Sequence, residues 1–372
     1  MAGIYIHIPF CKTRCLYCDF FSNTQMSKKN NFIHALCREM ENRKNYLNTS
    51  AVNTLYLGGG TPSQLSESDF IQIFDSLQRN FNLSECKEIT IEANPDDLTA
   101  EYIRMLRQFP FNRISIGIQS FDNQDLQFLN RRHNAQRAID AVRNCQKAGF
   151  NNISIDLMYG LPGQSIEKWQ KNIDSALSLH IQHISSYHLI YEEGTALYRL
   201  LEQKKITPVS EECSLAMFQT LIHSLKEKGF IHYEISNFAR PGYHSRHNSS
   251  YWTGEKYLGL GPGAHSFNGD CRHYNIGNLL QYIAGENELV EERLSEQEHF
   301  NDFVLTALRT VWGLSLNLVQ TKFGAKYYNY CLKMAKKHLD NGNLILDNNI
   351  LRLSEKGIFI SDGIMSDFMY ID

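Results

Sequence analysis

The first half of the chain alternates six times between a short apolar run and a longer helical pattern. Several of the runs are apolar almost throughout, which is typical of strands that are covered on both faces. Alternating strands and helices predict a parallel sheet with right-handed crossovers, and six units are too few for a closed eight-fold barrel. We therefore expect an α/β core built as a partial (β/α)6 barrel. The predicted strands are Ile4–Phe10, Val52–Leu57, Glu88–Ala93, Arg113–Gln119, Ile153–Met158 and Ile184–Ile190.

Three of the intervening stretches carry a helix start signal. Ser66, Thr99 and Ser165 each stand two residues or fewer before an acidic residue and an apolar series at helical spacing. Such residues accept a hydrogen bond from the first free backbone N–H groups of a helix. These positions therefore predict helix N-termini.

In folds of this class the chemistry lies at the carboxyl ends of the strands.

The pattern changes after about residue 200. Residues Ser210–Lys228 predict one long helix, whereas the Gly-, His- and aromatic-rich stretch His232–Tyr274 shows no clear period. Further helices are predicted over Gln297–Val311 and around Tyr327–Asn341. A hairpin is predicted after them, because two Asn residues join two short runs and Asn tolerates the left-handed conformation of a tight turn. Its strands are Asn343–Asp347 and Ile350–Ser354.

Helices followed by a hairpin predict a small, mostly helical, winged-helix-like C-terminal domain. We divide the chain into a core domain over residues 1–233 and a linker with the C-terminal domain over 234–372. A winged helix either binds DNA or packs as a lid on its neighbour. The formal net charge of −3, from 37 basic and 40 acidic residues, favours packing and gives no general reason to bind nucleic acid.

Composition and cysteine usage restrict the cellular setting. The apolar runs are strand-sized, whereas a membrane span needs about 20 apolar residues. No basic segment precedes the first apolar run, so no signal peptide is predicted and we expect a cytoplasmic protein. A reducing compartment disfavours disulfides for the nine cysteines. Six of them are scattered and are interpreted as buried, inert thiols.

The other three cysteines follow the first predicted strand within eight residues. Cys11, Cys15 and Cys18 have the spacing C-x-x-x-C-x-x-C. Thiolates suit iron–sulfur clusters and zinc. Three thiolates on a four-iron cluster leave one iron without a protein ligand, which a catalytic metal needs. The alternative is a structural zinc site that a residue such as His7 completes.

Polar and glycine residues mark the ends of the following strands. The triplet Gly58–Gly60, followed by Thr61, ends the second strand, and glycines let a backbone approach a ligand closely. Glu92 and Gln119 end the third and fourth strands, and Asp156 lies within the fifth. Polar residues in apolar strands are costly unless they are paired, so a polar ligand or a structural partner is expected for each. Arg131 is either a carboxylate partner or a solvated helix-end residue.

The cysteine motif, with Tyr17 before its last cysteine, resembles the signature of the radical S-adenosylmethionine (SAM) family. The resemblance implies a 4Fe-4S cluster on Cys11, Cys15 and Cys18. It also implies that the methionine part of SAM chelates the open iron, and that one electron from the cluster cleaves SAM to a 5′-deoxyadenosyl radical. The Gly-rich element one strand after the cysteines agrees with this family.

Longer segments resemble the oxygen-independent coproporphyrinogen III oxidase family over nearly the whole chain. These segments are Tyr5–Phe10, Cys18–Phe20, Gly58–Pro62, Asp156–Pro162 and Glu192–Thr195. The resemblance implies a HemN-like C-terminal domain and a set of SAM contacts. That set is Tyr5, Tyr17, Gly59, Gly60, Thr61, Glu92, Gln119, Arg131, Asp156 and Ile190. The oxidases hold two SAM molecules, so some of these residues are expected to line a second site or an empty one.

Two departures from the oxidases and one positive feature favour a related branch. Phe20 stands where the oxidases carry a further Cys, and only ten residues precede Cys11, whereas the oxidases have a longer covering segment. His247-Asn-Ser-Ser-Tyr-Trp252 resembles an element of the HemW-type heme chaperones. His is a good axial ligand for heme iron, and Tyr and Trp pack on porphyrin faces. His247 is therefore a candidate heme ligand, or it merely holds a loop in place.

The resemblance favours a chaperone that binds heme and passes it to acceptor hemoproteins, respiratory ones among them. It implies an electron donor for the cluster and leaves a homodimer open. Enzymatic activity is left open too, because the alternative is the coproporphyrinogen III oxidase (dehydrogenase) reaction of porphyrin biosynthesis.

Overall fold

The computed structural model describes residues 2–48 and 51–371, and its first half has the predicted alternation. Strands β1 to β6 are Ala2–Ile8, Thr54–Gly59, Glu88–Ala93, Arg113–Gln119, Ile153–Tyr159 and His183–His188. Helices α1 to α6 are Lys29–Asn42, Glu67–Asn80, Ala100–Leu106, Asn123–Phe128, Ala135–Lys147 and Ile166–Ser178. Short 3-10 turns cover Met26–Lys28 and Pro62–Gln64. All six predicted strands are present, with ends that differ by three residues or fewer.

The three predicted helix start signals are confirmed. The Ser66 side chain accepts a hydrogen bond from the backbone N–H of Asp69, whose carboxylate in turn accepts from the Ser66 N–H, a complete capping box before α2. The Thr99 and Ser165 hydroxyls cap α3 and α6 by accepting hydrogen bonds from the N–H groups of Tyr102 and Lys168, without the reciprocal bond of a capping box. Local chemistry thus fixes where these helices begin, and their apolar faces pack on the sheet.

The second half begins with the elements that extend this sheet. They are α7 Ala196–Glu202, α8 Glu211–Glu227, β7 Ile231–Glu234, β8 Asn237–Ala239, α9 Arg246–Trp252, β9 Lys256–Leu260, β10 His265–Phe267, β11 Cys271–Asn275, α10 Leu279–Ala284 and β12 Leu289–Arg293. The long helix predicted over 210–228 is confirmed as α8. The stretch 232–274 showed no period in the sequence because its strands are only three to five residues long and are separated by turns.

The strands form one twelve-stranded sheet within the described residues, in the order β12-β11-β10-β9-β1-β2-β3-β4-β5-β6-β8-β7. Strands β9 and β1 to β6 are parallel neighbours, whereas β10 to β12 and β7 to β8 run antiparallel at the two ends. The predicted partial barrel is confirmed, since β12 and β7 are edges that do not pair with each other. The boundary expected after residue 233 falls inside β7, and the sheet continues to Arg293.

The last part of the chain has a core of its own. Its elements are α11 Glu296–Leu308, β13 Leu314–Ser315, α12 Leu316–Asp340, β14 Leu344–Asp347, β15 Ile350–Leu353, α13 Glu355–Ile358 and α14 Ser361–Asp367. Phe300, Val304 and Leu351 are fully buried in this second core. The predicted hairpin is confirmed as β14–β15, with Asn348 at φ 49° and Asn349 at φ 61° in its turn. The helix expected from Tyr327 begins earlier, at Leu316, and is interrupted at Gly324.

Among residues 2–48 and 51–371, no helix is both long enough and apolar enough to cross a membrane.

The break in α12 gives a stability prediction. Gly324 has φ 83° and ψ −178°, a conformation that is essentially restricted to glycine, and no atom lies within 4 Å of an added Cβ. The cost of Gly324→Ala is therefore conformational, and we expect a loss of about 1–3 kcal/mol in the free energy of unfolding. Urea unfolding followed by circular dichroism measures it.

Gly363→Ala is the matched control, because Gly363 lies in helix α14 and an added Cβ there also meets nothing within 4 Å. Alanine is the better helix former, so this variant should be as stable as the wild type or slightly more stable. Equal stability of the two alanine variants would contradict the strained conformation at Gly324.

Candidate cluster and cofactor site

The loop that carries the three cysteines leaves the carboxyl end of β1 and is held by backbone contacts at several points. The N–H of Cys11 donates to the carbonyl of Asn23 over 3.0 Å. The N–H of Leu16 donates to the carbonyl of Leu129 over 3.4 Å, and the Asn130 side chain donates to the Arg14 carbonyl over 2.8 Å. The loop is thus fixed by the turn after α4 as well as by its own strand.

The three thiols are free and half-buried, and two of them accept hydrogen bonds. The Thr61 hydroxyl donates to Sγ of Cys11 over 3.3 Å, and Nη1 of Arg131 donates to Sγ of Cys15 over 3.3 Å. Burial raises the pKa of the Cys18 thiol to about 11. Donors aimed at sulfur suit thiolates that bind iron, so the residues present fit a cluster ligated by three cysteines.

The zinc alternative has no support from the geometry. His7 is buried, with its Nδ1 3.1 Å from the Tyr5 hydroxyl and its Nε2 2.8 Å from the Phe21 carbonyl oxygen, so neither ring nitrogen faces the cysteines. Within the described part of the chain, no three His, Cys, Asp or Glu side chains gather closely enough to hold a single metal ion.

The glycines of the Gly58–Thr61 turn are required by contacts with the protein itself. Gly59 has φ 104°, and a Cβ there would lie 2.5 Å from Nδ1 of His7. A Cβ at Gly60 would lie 2.8 Å from the carbonyl oxygen of Ile8. Side chains at these positions would push β2 away from β1 and the start of the cysteine loop. The glycines therefore allow β1 and β2 to approach each other closely.

Two half-buried carboxylates lie on β3 and β5, the strands on either side of β4. Glu92 accepts from the Tyr56 hydroxyl over 2.7 Å and from the N–H of Gly59 over 3.2 Å. Burial raises the pKa of Glu92 to about 7, with the Asp156 charge adding to the shift and the two hydrogen bonds opposing it. Burial likewise raises the pKa of Asp156 to about 6. Such carboxylates would be stabilised by a cationic group between the strands.

Arg131 lies at the centre of a polar network at the strand ends. Besides Cys15, its guanidinium donates to Oδ1 of Asn94 over 2.7 Å and to the carbonyl of Gly117 on β4. The Asn94 amide in turn donates to Oγ1 of Thr61 over 3.4 Å. The interpretation of Arg131 as a solvated helix-end residue is therefore wrong, since its guanidinium is directed into the site.

Sequence reasoning missed Asn94. It directly follows β3, and a polar residue at that strand end was the available signal. Gln119 ends β4 as predicted and is buried with φ 71°, a left-handed conformation that turns the chain at that point.

The remaining residues of the predicted set lie in different surroundings. Tyr17 packs beside a small apolar cluster that contains Leu129 and Met158. Tyr5 lies on β1 with its ring 6.1 Å from that of Tyr56. The Ile190 side chain is 62% exposed just after β6. Tyr5 thus lies on the first of the six core strands, and Ile190 lies two residues after the last of them. The roles of both residues as SAM contacts stay predictions.

His247 is engaged on both sides of its ring. Its Nδ1 lies 2.9 Å from Oγ1 of Thr54 and its Nε2 lies 2.7 Å from the Tyr251 hydroxyl, and the side chain is fully buried. Its ring stacks on Tyr56 with centroids 5.1 Å apart, and burial lowers the pKa of His247 to about 3. Iron ligation needs a free ring nitrogen, so this geometry gives no support to His247 as a heme ligand.

Comparison with known proteins agrees with both halves of the structure. A model of the radical SAM superfamily matches residues 5–176, and a model of the HemN C-terminal domain matches residues 294–360. The heme chaperone HemW of Bacillus subtilis is 32% identical over 380 aligned residues, which cover 99% of each chain. This chain belongs to the HemW family.

Other HemW-family relatives match to a similar extent. Heme chaperone HemW of Mycobacterium tuberculosis is 32% identical, over 98% of this chain and 93% of that one. The solved structure of coproporphyrinogen III oxidase (HemN) from Escherichia coli has a TM-score of 0.85 at 23% identity, over 99% of this chain and 90% of that one. This chain therefore shares the HemN fold, and it belongs to the radical SAM superfamily, which is defined by a 4Fe-4S cluster and SAM.

The predicted cluster ligands are tested by single substitutions. Cys11→Ala, Cys15→Ala and Cys18→Ala should each abolish bound iron and sulfide after anaerobic reconstitution, because no other cysteine is part of this loop. Iron and sulfide analysis with optical spectra measures the loss. Cys37→Ala and Cys145→Ala are the controls and should retain both, and an intact cluster in Cys15→Ala would contradict the assignment.

The half-buried carboxylates predict a pH-dependent affinity for SAM. A carboxylate with a pKa of about 7 is mostly ionised at pH 8 and mostly protonated at pH 6, and only the ionised form attracts a cationic ligand. We expect SAM to bind roughly tenfold more weakly at pH 6 than at pH 8. The SAM-induced change in the EPR signal of the reduced cluster, titrated at several pH values, measures it.

Glu92→Gln should weaken SAM binding at pH 8 and flatten this pH dependence. Glu101→Gln is the control, because Glu101 is exposed on α3, and its pH profile should match the wild type. An equally steep profile in Glu92→Gln would show that another group controls the affinity.

Proposed function

We propose that this HemW-family protein binds heme and passes it to acceptor hemoproteins, respiratory ones among them. The observation that carries the proposal is the full-length similarity to curated HemW heme chaperones, which includes the core and the C-terminal part alike. We further propose that it acts in the cytoplasm with an electron donor for its cluster. The nine free cysteines agree with a reducing compartment.

The proposed cofactor site uses the residues at the carboxyl ends of the strands. Cys11, Cys15 and Cys18 would ligate the cluster. A reduced cluster held there would supply an electron to SAM. Glu92 and Asp156 would meet the positively charged groups of SAM, and Arg131 would meet its carboxylate while it also donates to Cys15. Because Asn94 joins Arg131 to Thr61, it would hold the guanidinium in place.

The cluster face of the molecule supports a transfer role over an enzymatic one. Phe20, which directly follows the loop, is 64% exposed, and Ile190 is 62% exposed. Hydrogen abstraction from a propionate needs a substrate that is enclosed and shielded from water. An accessible surface instead lets an acceptor protein approach. The oxidase reaction remains the alternative function, on the ground of the shared HemN fold.

A paired measurement tests the proposed function. The reconstituted wild-type protein, titrated with heme and followed by absorbance, should bind heme stoichiometrically. The same preparation, reduced and supplied with SAM under anaerobic conditions, should form no protoporphyrinogen from coproporphyrinogen III. Sustained turnover would replace the chaperone with the oxidase, and absence of heme binding by a folded, cluster-loaded protein would refute the chaperone.

A further inference from the structure

A large cavity lies between the sheet extension and the C-terminal core, away from the cysteine loop. Its volume is about 740 Å³, which falls within the range of about 300–1,000 Å³ for small-molecule and cofactor sites. One wall comes from the end of α9 and from β9 to β11, and the other from α11 and α12. None of the residues that line it belongs to the cluster loop or to the predicted SAM contacts. The cavity is therefore separate from the cluster loop and the predicted SAM contacts.

Aromatic side chains line both walls of the cavity. Six of the lining residues are Tyr251, Trp252, Tyr257, Phe267, Phe303 and Phe323. The rings of Tyr251 and Tyr257 meet edge to face with centroids 4.6 Å apart. Aromatic faces on both sides of a cavity suit a large, flat, conjugated ligand, because they offer wide apolar contact at little loss of conformational freedom.

A single imidazole stands in this aromatic wall. His299 lies in the first turn of α11, half-buried, with its ring centroid 6.4 Å from that of Phe267. No hydrogen bond to either of its ring nitrogens is present among the described residues, in contrast to His247, whose two nitrogens are both engaged. A half-buried imidazole with available nitrogens is suited to bind a metal ion that a flat ligand carries.

Charged groups of both signs lie around the cavity. Lys322 is exposed, and its ammonium lies 5.1 Å from the Phe303 ring centre. Arg272 is paired with Asp302 and, over 3.7 Å, with Glu292. Glu255 and Glu296 also line the cavity. Lys322 is thus the cation most readily available to a carboxylate on a ligand, whereas Arg272 would have to exchange a partner.

Two residues of the His247–Trp252 element, Tyr251 and Trp252, line this cavity. The Tyr251 hydroxyl is fixed by His247, and Trp252 packs under the Arg309 guanidinium at 4.9 Å. Both aromatic side chains reach the cavity wall. His247 is then a positioning residue, held by Thr54, that fixes Tyr251.

We propose that this cavity is the heme site, with His299 as an axial ligand of the iron, aromatic residues on the porphyrin faces, and Lys322 facing a propionate. The proposal rests on the proposed function, since it assigns a place to the cargo of the chaperone. It separates that cargo from the cluster and SAM, which would bind on the opposite side of His247 and Tyr56.

The first test is a hemin titration of the cluster-loaded protein with His299→Ala. Loss of an axial ligand should weaken binding by on the order of tenfold or more and shift the Soret maximum of the complex. The matched control is His223→Ala, an exposed histidine on α8 outside the cavity, which should bind hemin like the wild type. Circular dichroism and iron–sulfide analysis verify that each variant is folded and loaded.

The second test fills the cavity without touching the proposed ligand. Leu305 lines the cavity and is 37% exposed, so Leu305→Trp should place a bulky ring in it and reduce hemin affinity by on the order of tenfold. Leu332→Trp changes a similarly exposed leucine of α12 outside the cavity and should leave affinity unchanged.

The outcomes separate this proposal from the proposed function. If the folded wild type binds no hemin, the chaperone function itself fails. If the wild type binds hemin and His299→Ala and Leu305→Trp bind it equally well with an unchanged Soret maximum, heme lies elsewhere and only the cavity assignment is overturned. Weakened binding in both, with unaffected controls, supports the cavity as the heme site.

Discussion

The whole molecule depends on β1, which is hydrogen bonded along both edges. It pairs in parallel with β2 over Gly3–Ile8 and with β9 over Ala2–Ile6. Its isoleucines, Ile4, Ile6 and Ile8, are fully buried, so the strand has a fixed register and depth. Cys11, the first cysteine of the loop, is the third residue after the strand ends. The position of that loop is therefore set by the pairing of β1, and β9 joins the chain's second half to the same frame.

The two desolvated carboxylates on β3 and β5 are costly to ionise in the absence of a cation. Glu92 and Asp156 lie on β3 and β5, and the Asp156 charge adds to the rise in the pKa of Glu92. A bound cationic ligand would offset the free-energy cost of desolvating these two carboxylates. A SAM molecule, with its sulfonium and ammonium groups, has the chemistry to do so. Arg131 supplies the opposite charge and acts to lower the pKa of Asp156.

His247 connects the polar residues around Glu92 to the C-terminal part of the chain. Its ring lies between Tyr56, which donates to Glu92, and Tyr251, which lines the large cavity. The N–H groups of Arg246 and His247 donate to the buried Glu88 carboxylate over 2.9 Å, so the start of α9 is anchored to β3. This packing gives a physical reason why the histidine of this element is buried: it fixes α9 against the sheet and so sets the position of the cavity wall.

The sequence by itself determined the helix caps and the turn at Asn348–Asn349, because each depends on contacts between neighbours along the chain. It indicated the six core strands as well, because apolar runs that alternate with helical patterns can be recognised without knowing how the strands pair. It also indicated the cysteine trio, Glu92, Gln119 and Asp156, since a short motif and polar residues at strand ends are visible without a structure. Only the tertiary structure decided what depends on distant segments. Strand β9 carries no period long enough to read, and it becomes a strand through its pairing with β1. Arg131 and Asn94 meet because loops after β3 and α4 converge. His247 is buried because α9 packs on β1 and β2, and His299 is available because α11 faces the cavity. Such packing between distant segments cannot be predicted from the spacing of residues along the chain.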